Sequence, residues 1–266
     1  MPNDNRTRAV RGWRAARSMW LAGLLAVCGP AFPARADDPP PARPDPPPTL
    51  SPYATALLRR TSEVLAATKS MTMDIEILRE VRADDGRVVT LSSSNAIAMR
   101  RPNGLRVDIR GEATLTDVVY DGTRVVVHAV AQNAYAEQPA PNRIDELLSV
   151  LENKLGMPID VGDLLVTDPF AKLAADTTGV VVSTAAVSGV PAWHMVLRSG
   201  DVPWEFWVRQ DATALPIMAS VVRDGLRTQY RFDDWRLDPV LDASLFRFTP
   251  PAGVIRVPFV FRKVAP

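Results

Sequence analysis

The chain has little of the chemistry on which most enzymes and metal proteins depend. Only one cysteine, Cys28, and two histidines, His128 and His194, occur among its 266 residues. Two isolated histidines without cysteine partners make a poor transition-metal site. The sequence also lacks a Gly-x-Ser-x-Gly elbow, a glycine-rich phosphate loop and a His-Glu-x-x-His motif. We therefore predict no catalytic residues, no metal and no cofactor, and we expect the protein not to be an enzyme.

Apolar runs are short as well, and one of them belongs to an export signal. The run MWLAGLLAV at 19–27 is far shorter than the roughly 20 residues that a membrane-spanning helix needs. Five arginines precede it within the first 17 residues, and ARA at 34–36 offers the small-x-small pattern that signal peptidase cleaves. We predict a cleaved signal peptide over residues 1–36 and a periplasmic protein. The alternative is an outer-membrane lipoprotein anchored through Cys28, although Val27 stands where such a signal needs a small residue.

Removal of the signal peptide changes the charge of the chain. Residues 1–36 contain six of the 31 basic residues and one of the 30 acidic residues, which leaves 25 basic and 29 acidic residues, a net charge of about −4. A nucleic-acid partner usually requires a basic face, so we expect no nucleic-acid binding. The mature chain also has no disulfide, which a domain of this size does not need in order to bury a core.

Proline is concentrated just after the signal peptide. Half of the sixteen residues 37–52 are proline. Such a run favours extended polyproline II and cannot build a core. We predict a Pro-rich linker over residues 37–52, followed by a single folded domain over residues 53–262.

Alternation of apolar and polar residues dominates this domain. In MTMDIEILREV, residues 71–81, every second residue from Met71 to Ile77 is apolar, which is the period of a half-buried strand. Similar segments continue to residue 130 and return between residues 179 and 237, separated by turn signals such as Asp85-Gly86 and Asp121-Gly122. Successive strands joined by tight turns predict an antiparallel meander.

Helical periodicity interrupts the strands. It puts apolar residues on one stripe within residues 53–70 and within NRIDELLSVLENKLG, residues 142–156, where Asn142 is the expected cap. Residues 160–176 predict one or two short helices. The fold class is therefore α+β, with a curved antiparallel sheet of nine to eleven strands forming an incomplete β-barrel covered by a few helices. The stripe residues are Leu57, Leu58, Val64 and Leu65 in the first helix, and Ile144, Leu147, Leu148 and Leu151 in the second.

Three large aromatic residues fall within four positions of DVPWEFWVRQ, residues 201–210. The strand period places Trp204 and Phe206 on the inner face and Trp207 on the outer face, among charged residues. The inner residues either pack in a solid core or line a cavity that accepts a lipid chain. The predicted ligand-binding residues are Met73, Ile75, Ile77, Ile97, Met99, Leu105, Val107, Trp193, Met195, Trp204 and Phe206.

Five segments together resemble a known family. They are RRPNGLRVDI (100–109), YDG (120–122), YAEQPAPNRIDELL (135–148), GMPIDVGDLL (156–165) and FWVRQDATALP (206–216). In this order they are similar to predicted periplasmic proteins with domain of unknown function 2092, a group that resembles the LolA/LolB lipoprotein-carrier superfamily in fold. The resemblance covers about residues 53–260. It implies an incomplete barrel with a helical lid and an apolar cavity, and it supplies no catalytic residues.

Three functions follow from these observations. The first is a periplasmic carrier or chaperone for a lipid or an acylated lipoprotein, bound by burial of its acyl chain in an apolar cavity. The second is an envelope sensor or interaction module with a protein partner in the envelope. The third is an enzyme of unrecognised type, which would need a convergent polar cluster in a cleft. We expect the first.

Overall fold

A computed structural model describes residues 49–112, 114–154, 157, 159 and 161–259 of the chain. The predicted signal peptide, Cys28, most of the Pro-rich linker and the last three residues of the predicted domain lie outside this range. Within it, the chain folds into one sheet of twelve strands with four α-helices. None of these helices has the length and apolar character required to span a membrane.

The elements follow one another as two runs of strands with helices before and between them. The first helix is α1 (Pro52–Ala67), and α2 (Ile144–Asn153), α3 (Gly162–Leu165) and α4 (Pro169–Leu173) separate the two runs. The first run is β1 (Ser70–Arg82), β2 (Val88–Arg100), β3 (Gly104–Gly111), β4 (Leu115–Tyr120), β5 (Arg124–Ala129) and β6 (Ala134–Pro139). The second is β7 (Thr177–Val187), β8 (Val190–Ser199), β9 (Val202–Arg209), β10 (Pro216–Arg223) and β11 (Leu226–Leu237), followed by a 3-10 helix (Ala243–Phe246) and β12 (Ile255–Arg256).

Each run is an antiparallel meander, and the two meanders join where β1 pairs with β11. The strand order is β12-β6-β5-β4-β3-β2-β1-β11-β10-β9-β8-β7, so β12 and β7 are the two ends and the sheet does not close. Only β12 runs parallel to its neighbour, β6. The structure therefore confirms the predicted fold class, a large curved antiparallel sheet that forms an incomplete barrel.

Strand alternation determines which side chains form the core. In β1 the side chains of Met71, Met73, Ile75 and Ile77 are at most 2% exposed, whereas those of Asp74 and Glu76 point to solvent. Buried residues of α1 and α2, among them Leu58, Leu65, Leu147 and Leu151, belong to the same apolar cluster. The helices therefore lie on this side of the sheet, which we call the inner face, and the opposite side is the outer face.

The start of α2 differs from the prediction. Arg143 rather than Asn142 is the N-cap, and no side chain caps the helix, so the prediction for Asn142 is wrong. The backbone takes over this task, because the amide of Ile144 donates to the carbonyl of Pro102 at 3.0 Å. Nearby, the Tyr120 hydroxyl donates to the carbonyl of Pro141. Burial raises the pKa of Tyr120 to about 12, and the negative charges of Asp121 and Glu146 act in the same direction.

The segment after β11 covers part of the outer face, which the sequence did not predict. Phe246 is 1% exposed and packs against Gly104, where an added Cβ would come within 3.1 Å of its ring. Phe248 contacts the rings of His128 and Tyr135, with centroids 5.3 and 5.2 Å apart. The strand count also exceeds the prediction, because β6 is half-buried along most of its length and so lacks a clear alternation.

The turn between β9 and β10 holds α1 against the inner face. Oδ1 of Asp211 accepts hydrogen bonds from the amides of Thr213 and Ala214 and from the Thr213 hydroxyl. This fixes the turn so that the carbonyl of Ala212 accepts from Arg60 Nε, and that of Ala214 from the Thr61 hydroxyl, both at 2.7 Å. The segment FWVRQDATALP thus has a structural role.

Asp211 makes the stability of this turn depend on pH. Burial alone would raise the pKa of Asp211, but hydrogen bonds from Thr213 and Ala214 and the charge of Arg209 outweigh it and lower the pKa below its ordinary value of 3.8. Because the folded pKa is lowered, the ionised carboxylate stabilises the fold above pH 3.8, and this contribution is lost as the pH falls through the lowered pKa.

We expect Asp211→Ala to lower the free energy of unfolding by about 1–2 kcal/mol at pH 7, since several hydrogen bonds to the carboxylate are lost. The difference from the wild type should shrink below the folded pKa of Asp211, where the wild-type carboxyl is protonated. Urea unfolding of both proteins across this pH range measures it. A difference that stays constant with pH would contradict the role assigned to the ionised carboxylate.

Candidate functional site

The inner face contains a cavity of about 360 Å³ between the helical segment and the second meander. One wall comes from α3 and α4 and the other from β9, β10 and β11. Its main apolar lining residues are Leu164, Leu173, Trp204, Phe206, Val221 and Phe232. The volume lies within the range of roughly 300–1,000 Å³ that is usual for ligand pockets, toward its lower end.

A chain of hydrogen bonds fixes the Trp204 ring in the cavity wall. Its Nε1–H donates to the hydroxyl of Ser199 at 3.0 Å, and this hydroxyl lies 2.6 Å from that of Thr177. The Thr177 hydroxyl in turn donates to the carbonyl of Leu173, at the end of α4. The Thr177 hydroxyl also lies 3.1 Å from the carbonyl of Ala175, and either hydroxyl can be the donor in the bond between Ser199 and Thr177. The indole is therefore held in one orientation. Its N–H is already hydrogen-bonded, so a ligand does not have to supply an acceptor for it.

A small residue between two large ones leaves room in the cavity. Ala219 on β10 pairs across the sheet with Phe206 on β9 and with Tyr230 on β11. All three line the cavity. Because Ala219 lines the cavity between these two strand neighbours, a larger side chain at position 219 would occupy part of the cavity. The empty volume therefore depends on an alanine at the centre of the aromatic wall.

Charged residues lie at one end of the cavity. Asp163, Lys172 and Arg223 line it together with Tyr230, and the same four residues line a second cavity of about 280 Å³. The second cavity is more polar, with Arg79, Asp145 and Glu152 also in its wall. The apolar cavity thus ends where two cations and one carboxylate meet a polar space.

The structure places two of the predicted ligand-binding residues, Trp204 and Phe206, in the wall of the apolar cavity. Trp193 is half-buried and its ring meets that of Tyr53 edge-to-face, with centroids 5.3 Å apart. The other eight are at most 3% exposed in the packed core and do not line the cavity: Met73, Ile75, Ile77, Ile97, Met99, Leu105, Val107 and Met195. Strand phase separates inner from outer residues, but it does not separate a filled region from a hollow one.

Both histidines have carboxylate partners on the outer face, rather than being simply solvated. His128 Nδ1 lies 3.0 Å from Asp117 Oδ2, and His194 Nε2 lies 2.9 Å from Glu205 Oε2. The ring of Trp207, the aromatic residue on the charged phase, stacks on His194 with the centroids 4.2 Å apart. Neither histidine lines the cavity, and no cluster of potential metal ligands occurs in the part of the chain that the structure describes.

Arg100 and Arg101, at the β2–β3 turn, line neither cavity. The guanidinium of Arg101 donates to the carbonyls of Val166 at 2.9 Å, Thr68 at 3.2 Å and Leu65 at 3.5 Å, and so joins the ends of α1 and α3 to the β2–β3 turn. Arg100 lies over the ring of Phe246, 4.8 Å from its centroid. Both arginines are therefore structural.

Solved structures with a similar fold share little sequence with this chain. An uncharacterized conserved protein from Thermus thermophilus is 12% identical, with a TM-score of 0.48 over 77% of this chain and 99% of its own. The lipoprotein LppX from Mycobacterium tuberculosis is 13% identical, with a TM-score of 0.41 over 72% of this chain and 99% of its own. A LolA superfamily protein from Nitrosomonas europaea is also 13% identical, with a TM-score of 0.34 over 73% of this chain and 97% of its own.

Sequence comparison assigns the chain to a family. No curated protein matches it. The family model described as predicted periplasmic protein (DUF2092) matches residues 54–260, nearly all of the region that the structure describes. The chain therefore belongs to the DUF2092 family of predicted periplasmic proteins.

Proposed function

We propose that the protein is a periplasmic binding protein that carries a lipid or a lipoprotein acyl chain in the cavity between α3–α4 and β9–β11. The observation that supports this is an aromatic-walled, partly open cavity of about 360 Å³ that lies beside the packed core on the same inner face. A tightly packed protein has few voids larger than a water molecule, so an apolar space of this size suits an apolar guest.

Burial of methylene groups supplies the binding free energy without any catalytic residue. Each buried methylene contributes about 0.8 kcal/mol, which corresponds to roughly fourfold in the dissociation constant. A chain with several buried methylenes therefore binds usefully even though the Trp204 indole is already satisfied by Ser199. No cofactor enters this function.

We expect the affinity for straight-chain alcohols to rise by about fourfold for each added methylene, until the cavity is full, and then to level off. Isothermal titration calorimetry with a series of increasing chain length measures both the slope and the plateau. Binding to an open apolar surface would give a slope without a plateau. A dissociation constant independent of chain length would contradict burial in the cavity.

Native mass spectrometry of the protein purified from its own periplasm tests the proposed function. We expect a co-purifying acyl species, released on denaturation and identified by its mass. Protein that is empty as purified, and that takes up no chain when incubated with lipid, would overturn the proposal. An empty protein with one stoichiometric protein partner would instead favour the alternative, an envelope sensor or interaction module. The absence of enzymatic activity stays a prediction.

A further inference from the structure

The charged end of the cavity suggests which acyl compound binds. We propose, building on the function proposed above, that the ligand is a single-chain lipid with an anionic head, whose carboxylate or phosphate binds Lys172 of α4 and Arg223 of β10. The chain would lie against Trp204 and Phe232, and the head would face the polar cavity.

The two cations are placed for this role because they stand where the apolar and polar cavities meet. Each lines both cavities, as does Tyr230. An amphiphile needs such a boundary, since its tail must leave water while its head stays hydrated or paired. In the apolar cavity, Lys172, Arg223 and Asp163 are the charged lining residues.

The ion pairing of the two cations bears on what they can bind. Several of the described arginines pair with a carboxylate, as Arg110 does with Asp117 and Arg124 does with Glu137. Among the described residues, Lys172 and Arg223 form no such ion pair. The charged lining of the apolar cavity, Lys172, Arg223 and Asp163, sums to +1, whereas the further charged lining of the polar cavity, Arg79, Asp145 and Glu152, sums to −1. The positive charge is therefore confined to the boundary of the apolar cavity, where an anionic head can pair with Lys172 and Arg223.

The charge also distinguishes between two classes of ligand. The acyl chains of a lipoprotein are attached through neutral ester and amide bonds and so bring no anionic head. A fatty acid or a lipid phosphate brings one. Arginine and lysine both bind carboxylate and phosphate, and arginine can do so with two parallel hydrogen bonds. Lys172 and Arg223 therefore favour a free anionic lipid over an acylated protein.

The test compares ligands with different heads: dodecyl phosphate, dodecanol and dodecyltrimethylammonium, which share a twelve-carbon alkyl chain, and dodecanoate, whose alkyl chain beyond the carboxylate is one carbon shorter. Calorimetry on the wild-type chain should show the two anions binding about tenfold more tightly than dodecanol, the size expected for two solvent-exposed ion pairs. The cationic ligand should bind more weakly than dodecanol. The preference for anions should largely disappear in 1 M salt, where the screening length falls to about 3 Å.

The double variant Lys172→Gln, Arg223→Gln should bind the anions and dodecanol within about twofold of each other, with the affinity for dodecanol unchanged. The matched control Lys69→Gln, Arg247→Gln removes two exposed cations that line neither cavity, and it should keep the tenfold preference. Dodecyl phosphate binding more tightly than dodecanoate by more than the roughly fourfold that its extra methylene supplies would assign a phosphate head, and tighter binding of dodecanoate a carboxylate head.

Several outcomes would overturn the inference. Equal binding of dodecanoate and dodecanol by the wild type would exclude a head-group site while leaving the acyl-binding function intact. If the double variant lost affinity for dodecanoate and for dodecanol by the same factor, the two cations would only support the cavity wall. Full competition by inorganic phosphate alone would indicate a phosphate site independent of the chain. If the wild type bound none of these compounds, the proposed function itself would fail.

Discussion

Replacing Ala219 by tryptophan is expected to abolish acyl-chain binding while the protein remains folded. The indole would occupy part of the cavity, which Ala219 lines between its strand neighbours Phe206 and Tyr230. Excluding even a few methylenes from the cavity costs about 0.8 kcal/mol each, so the affinity should fall by about a hundredfold or more. Calorimetry with dodecanol and dodecanoate measures the loss.

A matched variant separates loss of the cavity from the general effect of a large substitution. Ala186 is exposed on β7 and lines neither cavity, so Ala186→Trp adds the same side chain without filling the site. It should bind both ligands as the wild type does. Thermal unfolding shows whether Ala219→Trp still folds, and Ala219→Phe provides a smaller obstruction if it does not. Unchanged binding by a folded Ala219→Trp variant would show that the chain binds elsewhere.

Replacing Arg101 by alanine is expected to lower the free energy of unfolding by about 3–4 kcal/mol. Its guanidinium donates to three part-buried carbonyls at the ends of α1 and α3, and the loss of each partner costs about 1 kcal/mol or slightly more. Burial lowers the pKa of Arg101, while Asp145 acts in the opposite direction. Urea unfolding at neutral pH measures the change.

Arg87 provides the control, since its side chain is 80% exposed and pairs only with the neighbouring Asp85. Arg87→Ala should change the stability by about 0.5 kcal/mol or less. Arg101→Lys should recover only part of the loss, because a single ammonium cannot reproduce the planar fork that reaches separate carbonyls. A loss below about 1 kcal/mol in Arg101→Ala would contradict the role of Arg101 as a link between the helices and the sheet.

Periodicity predicted the elements but not how they are covered. The alternation in β1 predicted where this strand begins and ends and which of its side chains are buried, because one side of the strand contacts the core and the other contacts water. The same argument fails for β5, where Val126 and His128 on the outer face are also buried. The segment that carries Phe248 covers His128 there. The sequence of β5 alone cannot predict this contact, because Phe248 lies more than a hundred residues further along the chain.

The location of the cavity was the hardest feature to predict. Met73, Met99 and Phe206 look alike in sequence, since each is a large apolar residue on the inner phase of a strand. Met73 and Met99 are packed in the core, and Phe206 lies in the cavity wall. Whether an inner residue lies in the core or in the cavity wall depends on how the helices pack against the sheet, which is a property of the tertiary structure. One local signal existed in retrospect, which is the small Ala219 between two aromatic cross-strand partners, but pairing register must be known to see it.

A crystal structure with dodecanoate bound at saturation would show directly where the chain binds. We expect continuous density for the chain between Trp204 and Phe232, with the carboxylate within hydrogen-bonding distance of Lys172 or Arg223. Density for the chain among Met73, Met99 and Leu105, on the outer face, or at no defined position would contradict this expectation.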